Sequence, residues 1–386
     1  MKVKNNCEMF IFMAMKNFIH RFLRTENKQP IIQEIDGLRS IAIIAVLLSH
    51  FSLQMVRLSG LDENFTYGNP IPLFLELCGN GVSIFFCISA FILSIPFIKY
   101  YLYGEKQVDL KKYYWRRVKR LEVPYLLVLV ILLLFRIVIQ QEYWKTEMPH
   151  FISSIFYSHN IIYGRRSTIN PVAWTLEIEI QFYVLLPFII QLFNIKNFRI
   201  RRTVLLSLIA LSGVVYAKND LFFIQANLQY SIIPYLPIFL LGILMADVYL
   251  NYKPFFKQKK WYLDFVGIAG FLLIIYFAGS VFFHQQIFEY LGYVFLFTGI
   301  FKGKILNQIF TVKWIMAIGI MCYSIYLLHY ALLYFITEKI TVRFLQNNYY
   351  TNLLTQGLMV LPIVIACCGI FYLVIEKPLA KTKKIS

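Results

Sequence analysis

Apolar stretches close to twenty residues long recur from one end of this sequence to the other, and few folds can accommodate that pattern. A bilayer requires about 20 apolar residues per helical crossing, and in hydrocarbon the backbone must satisfy its own polar groups, as a helix does. Ten spans are expected, at 37–56, 80–99, 121–140, 171–193, 203–218, 230–250, 262–280, 286–301, 314–336 and 352–375. The expected fold class is therefore all-α: a polytopic membrane helical bundle with the lipid bilayer as its first partner. Composition agrees, since 59% of the residues are hydrophobic, 18% aromatic and only 15% charged, far from the balance of a soluble domain.

Charge orients the bundle. With the N-terminus taken as cytoplasmic, and Lys99 and Lys218 at span edges counted with the connections, the connections on that side carry 29 of the 38 Lys and Arg residues, the opposite connections carry seven, and Arg39 and Arg136 fall within spans. This positive-inside asymmetry places both termini in the cytoplasm of a multi-pass protein of the cell membrane. The net charge of +18 recurs in short clusters between spans rather than in one domain, so topology accounts for it and nucleic acid is not an expected partner.

Three parts are expected along the chain: 1–35, a cytoplasmic or interfacial segment; 36–380, the ten-helix bundle; and 381–386, a basic tail. In the first, MFIFMAM is too short to span and no small-residue cleavage site follows, so an interfacial helix is the reading and a signal peptide its alternative. The six cysteines form no CxxC pair, and redox and zinc chemistry are not suggested.

Span one is the most unusual. It reads IDGLRSIAIIAVLLSHF from Ile35 to Phe51, an apolar run containing an arginine and a histidine. On one helix Arg39 and His50 return to nearly the same face about 16 Å apart along the axis. Ionisable groups within a span usually face a cavity, a partner or a substrate path. The plainer alternative is that Arg39 snorkels to the interface and His50 is a hydrogen-bonded core histidine.

Farther along, NGVSIFFCISAFILSIPF opens span two, with Ser83, Ser89 and Ala90 small enough for close helix contact. Before span three, YYWRRVKRLEVPY puts Arg117 and Arg120 on one face, either as a topology anchor or as a forked donor site for phosphate. In the loop 141–170, His150 and His159 are not at metal-ligand spacing and read as solvated residues; no metal is expected. Span four, NPVAWTLEIEIQFYVLLP, carries Glu177 and Glu179 on different faces, so they are not a paired-carboxylate site and at least one needs a partner. From Lys196 to Tyr350 the chain reads mainly as scaffold until MCYSIYLLHYALLYF brings in His329, which alone reads as a satisfied core group.

Depth ties these residues together. At about 1.5 Å per residue, His50 lies about 21 Å from the inner start of its span and His329 about as far into span nine, while Glu179 is about 12 Å below the outer start of span four. All three then fall in the outer half of a core about 30 Å thick, with Arg39 and the Arg117 cluster at the inner face. A polar track crossing the bilayer is expected, anion-binding groups inside and proton-transfer groups farther out.

These segments resemble the integral-membrane acyltransferase family 3. The resemblance is carried by DGLRSIAIIAVLLSHF (36–51), GVSIFFCISAF (81–91), RRVKRLEVPY (116–125), WTLEIEIQFYVLLP (174–187), YSIYLLH (323–329) and EKPL (376–379), in the family's order over nearly the whole chain. One departure is Ala90, where the family usually has glycine, and a looser helix contact is expected there. The chain is also expected to lack the extracytoplasmic hydrolase-like domain that some members carry.

The resemblance implies an enzyme that moves an acyl group, often acetyl, from cytoplasmic acyl-coenzyme A to a hydroxyl of an extracytoplasmic glycan or related acceptor. Arg117 and Arg120, with Arg39, would then meet the phosphates of acyl-CoA, and His50 would be the general base. Glu179 would orient that histidine or bind sugar, and Trp174, Tyr183 and His329 are candidates for holding the substrate. A proton-coupled transporter or lipid-linked glycan flippase is the rival reading, with a non-catalytic membrane sensor behind it.

Overall fold

A computed structural model describes Phe22 and residues 32–217, 226–280, 282–339 and 348–380. The expected interfacial segment, Phe22 apart, and the basic tail lie outside the described residues. Among those described the chain is helical, without a strand. Its main helices are α1 (Gln33–Leu58), α2 (Pro70–Leu77), α3 (Val82–Tyr103), α4 (Leu110–Val138), α5 (Trp144–Ile155), α6 (Trp174–Ile189), α7 (Phe198–Ala217), α8 (Leu236–Asn251), α9 (Tyr262–Phe277), α10 (Phe283–Lys302), α11 (Lys313–Ile320), α12 (Cys322–Lys339) and α13 (Tyr349–Phe371).

Seven helical stretches among the described residues are long and apolar enough to cross a membrane, and an eighth if α11 and α12, bent by 71°, make one crossing. Helices occur at all ten expected positions, but two fall short of a span. The α9 helix has only 16 residues, and α10 opens on the polar His284, Gln285 and Gln286 and carries Glu289. These two run antiparallel in close contact: a Cβ on Gly299 would lie 2.3 Å from the Gly267 Cα, and one on Gly270 would lie 2.3 Å from the Leu296 nitrogen. Small residues permit this approach where hydrophobic driving force between helices is weak.

Local signals set the ends. Gly104, at φ +67°, closes α3 in the left-handed conformation that glycine adopts without strain. Asp109 then caps α4 by accepting from the Lys112 amide at 3.0 Å. At the bundle centre α1 divides two apolar clusters. Ile35, Leu38 and Ala42 pack with α3, α6 and α8, where Phe182 and Phe239 stack at 4.1 Å; Ile43, Leu47 and Phe51 pack with α11, α12 and α13.

The expected loose contact at Ala90 is not found. Ala90 is fully buried, and room is made on the partner helix, where a Cβ on Gly242 would lie 2.5 Å from the Cys87 carbonyl oxygen and 2.7 Å from the Ala90 Cβ. Gly242→Ala must therefore push α8 off α3, and overpacking of this kind costs about 1–3 kcal/mol. Thermal unfolding in detergent should show that loss, and an unchanged midpoint would mean the two helices separate without cost.

Between α4 and α6 the chain builds a small cap. His150 and His159 are buried rather than solvated, because their rings bond each other at 2.9 Å and pack on Tyr163. Glu147 accepts two bonds from Arg136, at 2.8 and 3.0 Å. Burial, then the neighbouring His150, pushes His159 down to about 4, and burial, then Arg165, lowers His150. An opened cap restores ordinary histidines near 6.5, so between about pH 6.5 and pH 4 the open form binds more protons and the cap weakens as pH falls. For His159 the loss is on the order of 3 kcal/mol at most. Hydrogen exchange over 144–163, corrected for intrinsic rate, should show protection falling from pH 7 to pH 5, and His159→Gln should remove most of that dependence. Equal protection at both pH values would contradict this account.

Candidate functional site

His50 and His329, 279 residues apart in sequence, meet in the bundle: His50 Nδ1 lies 2.8 Å from His329 Nε2. The proton positions follow from the remaining partners. His329 Nδ1 faces the carbonyl oxygens of Ile325 and Tyr326 at 2.8 and 3.0 Å, and carbonyls only accept, so that nitrogen carries the hydrogen. In the neutral ring His329 Nε2 is then the acceptor, and His50 Nδ1 must donate to it. This leaves His50 Nε2 with a free lone pair and no hydrogen-bond partner among the described residues. Tyr330 holds the ring from its edge, with centroids 5.3 Å apart.

His50 lines a cavity of about 350 Å³ at the end of the bundle where α1 finishes and α3 and α6 begin. Trp174, Tyr235 and Tyr326 give it aromatic wall; Glu76, Asn80, Gln286 and Glu289 give it polar wall. Arg166 stands at its edge, 5.4 Å from the Trp174 ring centroid. Trp174 and His329 thus belong to the histidine end, one in the wall and one behind His50. The chain from Lys196 to Tyr350 is more than scaffold, because α10 supplies Gln286, Glu289 and Tyr290 to the cavity. Glu289 is the residue that sequence reasoning missed. Its signal was present: a carboxylate inside an expected span.

Glu179 is not with the histidines. Its carboxylate accepts from Ser89 of α3, and the Tyr183 hydroxyl reaches the same carboxylate. Tyr183 in turn faces Arg117, whose guanidinium lies 3.7 Å from the Tyr113 ring centroid and 5.4 Å from that of Tyr183. Depth along the helix axis placed Glu179 near His50; in the structure its face of α6 turns instead to α3 and α4, beside Arg117. Glu177, on the other face, accepts from the Asn160 amide at 2.9 Å and ties the cap to α6. Each carboxylate has its own partner, as their spacing required.

The opposite end of the bundle gathers the arginines in different ways. Arg39 pairs with the buried Asp36 at 3.0 Å, one turn before it in α1. Arg120 pairs at 3.5 Å with Glu376, whose other oxygen accepts from Ser324 at 2.7 Å. Cys322 lies within electrostatic reach of both pairs. Arg117 differs: one nitrogen donates to the Tyr113 carbonyl at 2.8 Å, while its Nε is buried without a partner. Since Cys322 lies by Arg39 and His329 by His50, α1 and α12 run in the same direction, with the arginine end and the histidine end at opposite extremes.

The remaining small residues of span one explain how this is held. A Cβ on Gly37 would lie 2.4 Å from the Phe310 carbonyl oxygen, and one on Gly319 would lie 1.8 Å from that of Asp36. The Ser40 hydroxyl donates to the Ile315 carbonyl. Without a side chain at 319, α11 can cross α1 and aim α12 along it, and Gly37 gives the same room to the short helix that ends at Phe310. Among the described residues no group of three or more His, Cys, Asp or Glu side chains is placed to hold a metal ion.

The chain is 26% identical over 346 residues to the O-acetyltransferase OatA of Staphylococcus aureus (strain NCTC 8325 / PS 47), covering 82% of this chain and 51% of that protein. It is 25% identical over 347 residues to the peptidoglycan O-acetyltransferase OatA of Listeria monocytogenes, covering 82% and 52%. The chain thus spans about half the length of these curated relatives. No solved structure matches it. A family model described as an acyltransferase domain matches residues 32–373, from the start of α1 past the end of α13, and the chain belongs to that family, acyltransferase family 3, as a multi-pass membrane protein.

Proposed function

We propose that this protein is a membrane O-acetyltransferase that moves an acetyl group from a coenzyme A thioester at the arginine end to a glycan hydroxyl held in the cavity at the histidine end. The observation that carries the proposal is the His50–His329 pair, which leaves His50 Nε2 as a base on the cavity wall. The acceptor hydroxyl gives its proton to that nitrogen as its oxygen attacks the thioester carbonyl. Collapse of the tetrahedral intermediate breaks the C–S bond, and the departing thiolate takes the proton back. His329 accepts the His50 Nδ1 hydrogen throughout, fixing the tautomer and favouring the transient imidazolium. General acid–base catalysis of this kind contributes about 10²–10⁴ in rate.

The donor's phosphates suit the arginine end, where the Arg117 Nε has no protein partner. An extended pantetheine arm is long enough to bridge the roughly 16 Å between the levels of Arg39 and His50. The basic residues between spans orient that end to the cytoplasm under the positive-inside rule. Peptidoglycan appears in the name of the Listeria relative, and a cell-envelope glycan is the acceptor proposed here.

Purified protein in nanodiscs, given labelled acetyl-coenzyme A and soluble peptidoglycan fragments, should form alkali-labile label on the glycan, with one free coenzyme A per ester and no ion gradient. A transporter or flippase would form no ester, and that result would end the proposal.

A further inference from the structure

One face of α10 brings Gln286, Glu289 and Tyr290 to the cavity wall; Tyr290 bonds Gln286 at 3.2 Å, and separately Glu289 joins a chain through Tyr293 to Ser83 whose hydrogens can be counted. The Ser83 hydroxyl lies 2.7 Å from the Asn80 carbonyl oxygen, which only accepts, so Ser83 donates its one hydrogen there. The Tyr293 hydroxyl lies 2.6 Å from Ser83 Oγ and must donate its one hydrogen to that oxygen. One contact remains, between Tyr293 Oη and Glu289 Oε1 at 2.9 Å, and it holds a hydrogen only if Glu289 brings it. Glu289 is 4% exposed and has no cation at ion-pair distance among the described residues. The Gly279 backbone amide also donates to the Glu289 carboxyl, but a carboxylate without a cation in such a place is costly, and a carboxylic acid completes the chain.

We propose that Glu289, as a neutral carboxylic acid anchored on Tyr293, is an acceptor-binding residue that receives a hydroxyl or amide hydrogen of one sugar residue in the cavity. The proposal rests on the acyltransferase reading above and names the side chain that holds the acceptor. Three observations fit a sugar. Trp174 and Tyr235 offer an aromatic wall, their centroids 5.8 Å apart, for the apolar face of a pyranose ring. Glu289 and Tyr290 offer polar atoms for its edge. A volume of about 350 Å³ is at the small end of ligand sites, which run from about 300 to 1,000 Å³, and suits a single residue of a longer glycan. His50 stands in the same wall, so a ring held this way presents a hydroxyl to its Nε2.

The chemistry separates Glu289→Gln from Glu289→Ala. A glutamine amide donates to Tyr293 as the acid does and keeps a carbonyl oxygen, whereas alanine removes both. In nanodiscs, Glu289→Gln should keep the KM for peptidoglycan fragments within about threefold, and Glu289→Ala should raise it about tenfold or more, the scale of one lost hydrogen bond to a buried group. The KM for acetyl-coenzyme A should move less than the acceptor KM in both, because the donor's phosphates bind at the arginine end. Tyr293→Phe removes the anchor and should raise acceptor KM in the same direction, which keeps the test open if Glu289→Ala does not fold. An unchanged acceptor KM in the alanine and phenylalanine variants overturns the proposal. So does a glutamine variant that behaves like alanine, since the active form would then be a carboxylate. Wild-type protein that forms no ester at all indicts the acyltransferase reading instead. In that event the carboxylic-acid carbonyl stretch, present in the wild-type infrared spectrum and lost in Glu289→Gln, still decides whether Glu289 holds its proton.

Discussion

Replacing His50 by alanine is expected to abolish acetyl transfer, by about 10²–10⁴ in kcat or more, while the protein still inserts and folds. The size follows from what the substitution removes. His50 is the member of the His50–His329 pair that lines the cavity, and its Nε2 is the free lone pair of that pair. His329 cannot substitute, because its own Nε2 already points at His50 and its Nδ1 is committed to the Ile325 and Tyr326 carbonyls. Folding should survive, since His50 is half-buried at a cavity and the tight crossings of α1 occur elsewhere, at Gly37 and Ser40. His329→Ala should be milder, lowering kcat with little change in acceptor KM, because the base remains but its tautomer is no longer fixed. The measurements are ester formation by both variants and their unfolding midpoints in detergent. A His50→Ala protein that transfers at near wild-type rate would remove His50 from the mechanism.

What the sequence revealed of this site divides along physical lines. Period and depth are properties of one helix, so they were legible: His50 and His329 were expected at one level, and they touch. Rotation about a helix axis depends on the neighbours, and there the reading separated from the structure. Glu179 bonds Ser89 and lies beside Arg117 rather than His50. Within DGLRS, Arg39 pairs with Asp36 while Gly37 gives room to Phe310 and Ser40 bonds Ile315 of α11, so much of that motif holds the bundle together rather than touching substrate. The motifs also bond one another: Tyr323 to the Leu121 carbonyl, Tyr326 to that of Val172 and Ser324 to Glu376. Such pairings join segments far apart in sequence, and a single chain without an alignment carries no record of them. Glu289 was visible as a charge in a span and was passed over because one carboxylate without an obvious cation has no partner to suggest a role.

The two arginines of span three should part company when each is replaced. Arg117→Ala is expected to raise the KM for acetyl-coenzyme A about tenfold to a hundredfold, the range of a charged hydrogen bond worth about 1.5–3 kcal/mol, and to leave acceptor KM near its wild-type value. Its guanidinium is stacked by Tyr113, spends one nitrogen on the Tyr113 carbonyl and leaves Nε buried and unpartnered, a fork held in place for an anion the protein does not supply. Arg117→Lys should recover only part of the loss, because an ammonium keeps the charge and loses both the stacking and the fork. Arg120 stands on the same face of α4 but is committed to Glu376, which is 1% exposed and also bonds Ser324 of α12. Arg120→Ala strands that carboxylate, so its first effect should be on stability, and Glu376→Gln in the same protein should recover part of it by removing the unpaired charge. The cost should be well below that of a fully buried pair, since the Arg120 side chain is 42% exposed and solvent screens it. Donor KM and unfolding midpoint, measured on both variants, separate the roles. If Arg120→Ala raises donor KM at an unchanged midpoint while Arg117→Ala does neither, the donor's phosphates sit on the Glu376 side of the helix and Arg117 is a packing residue.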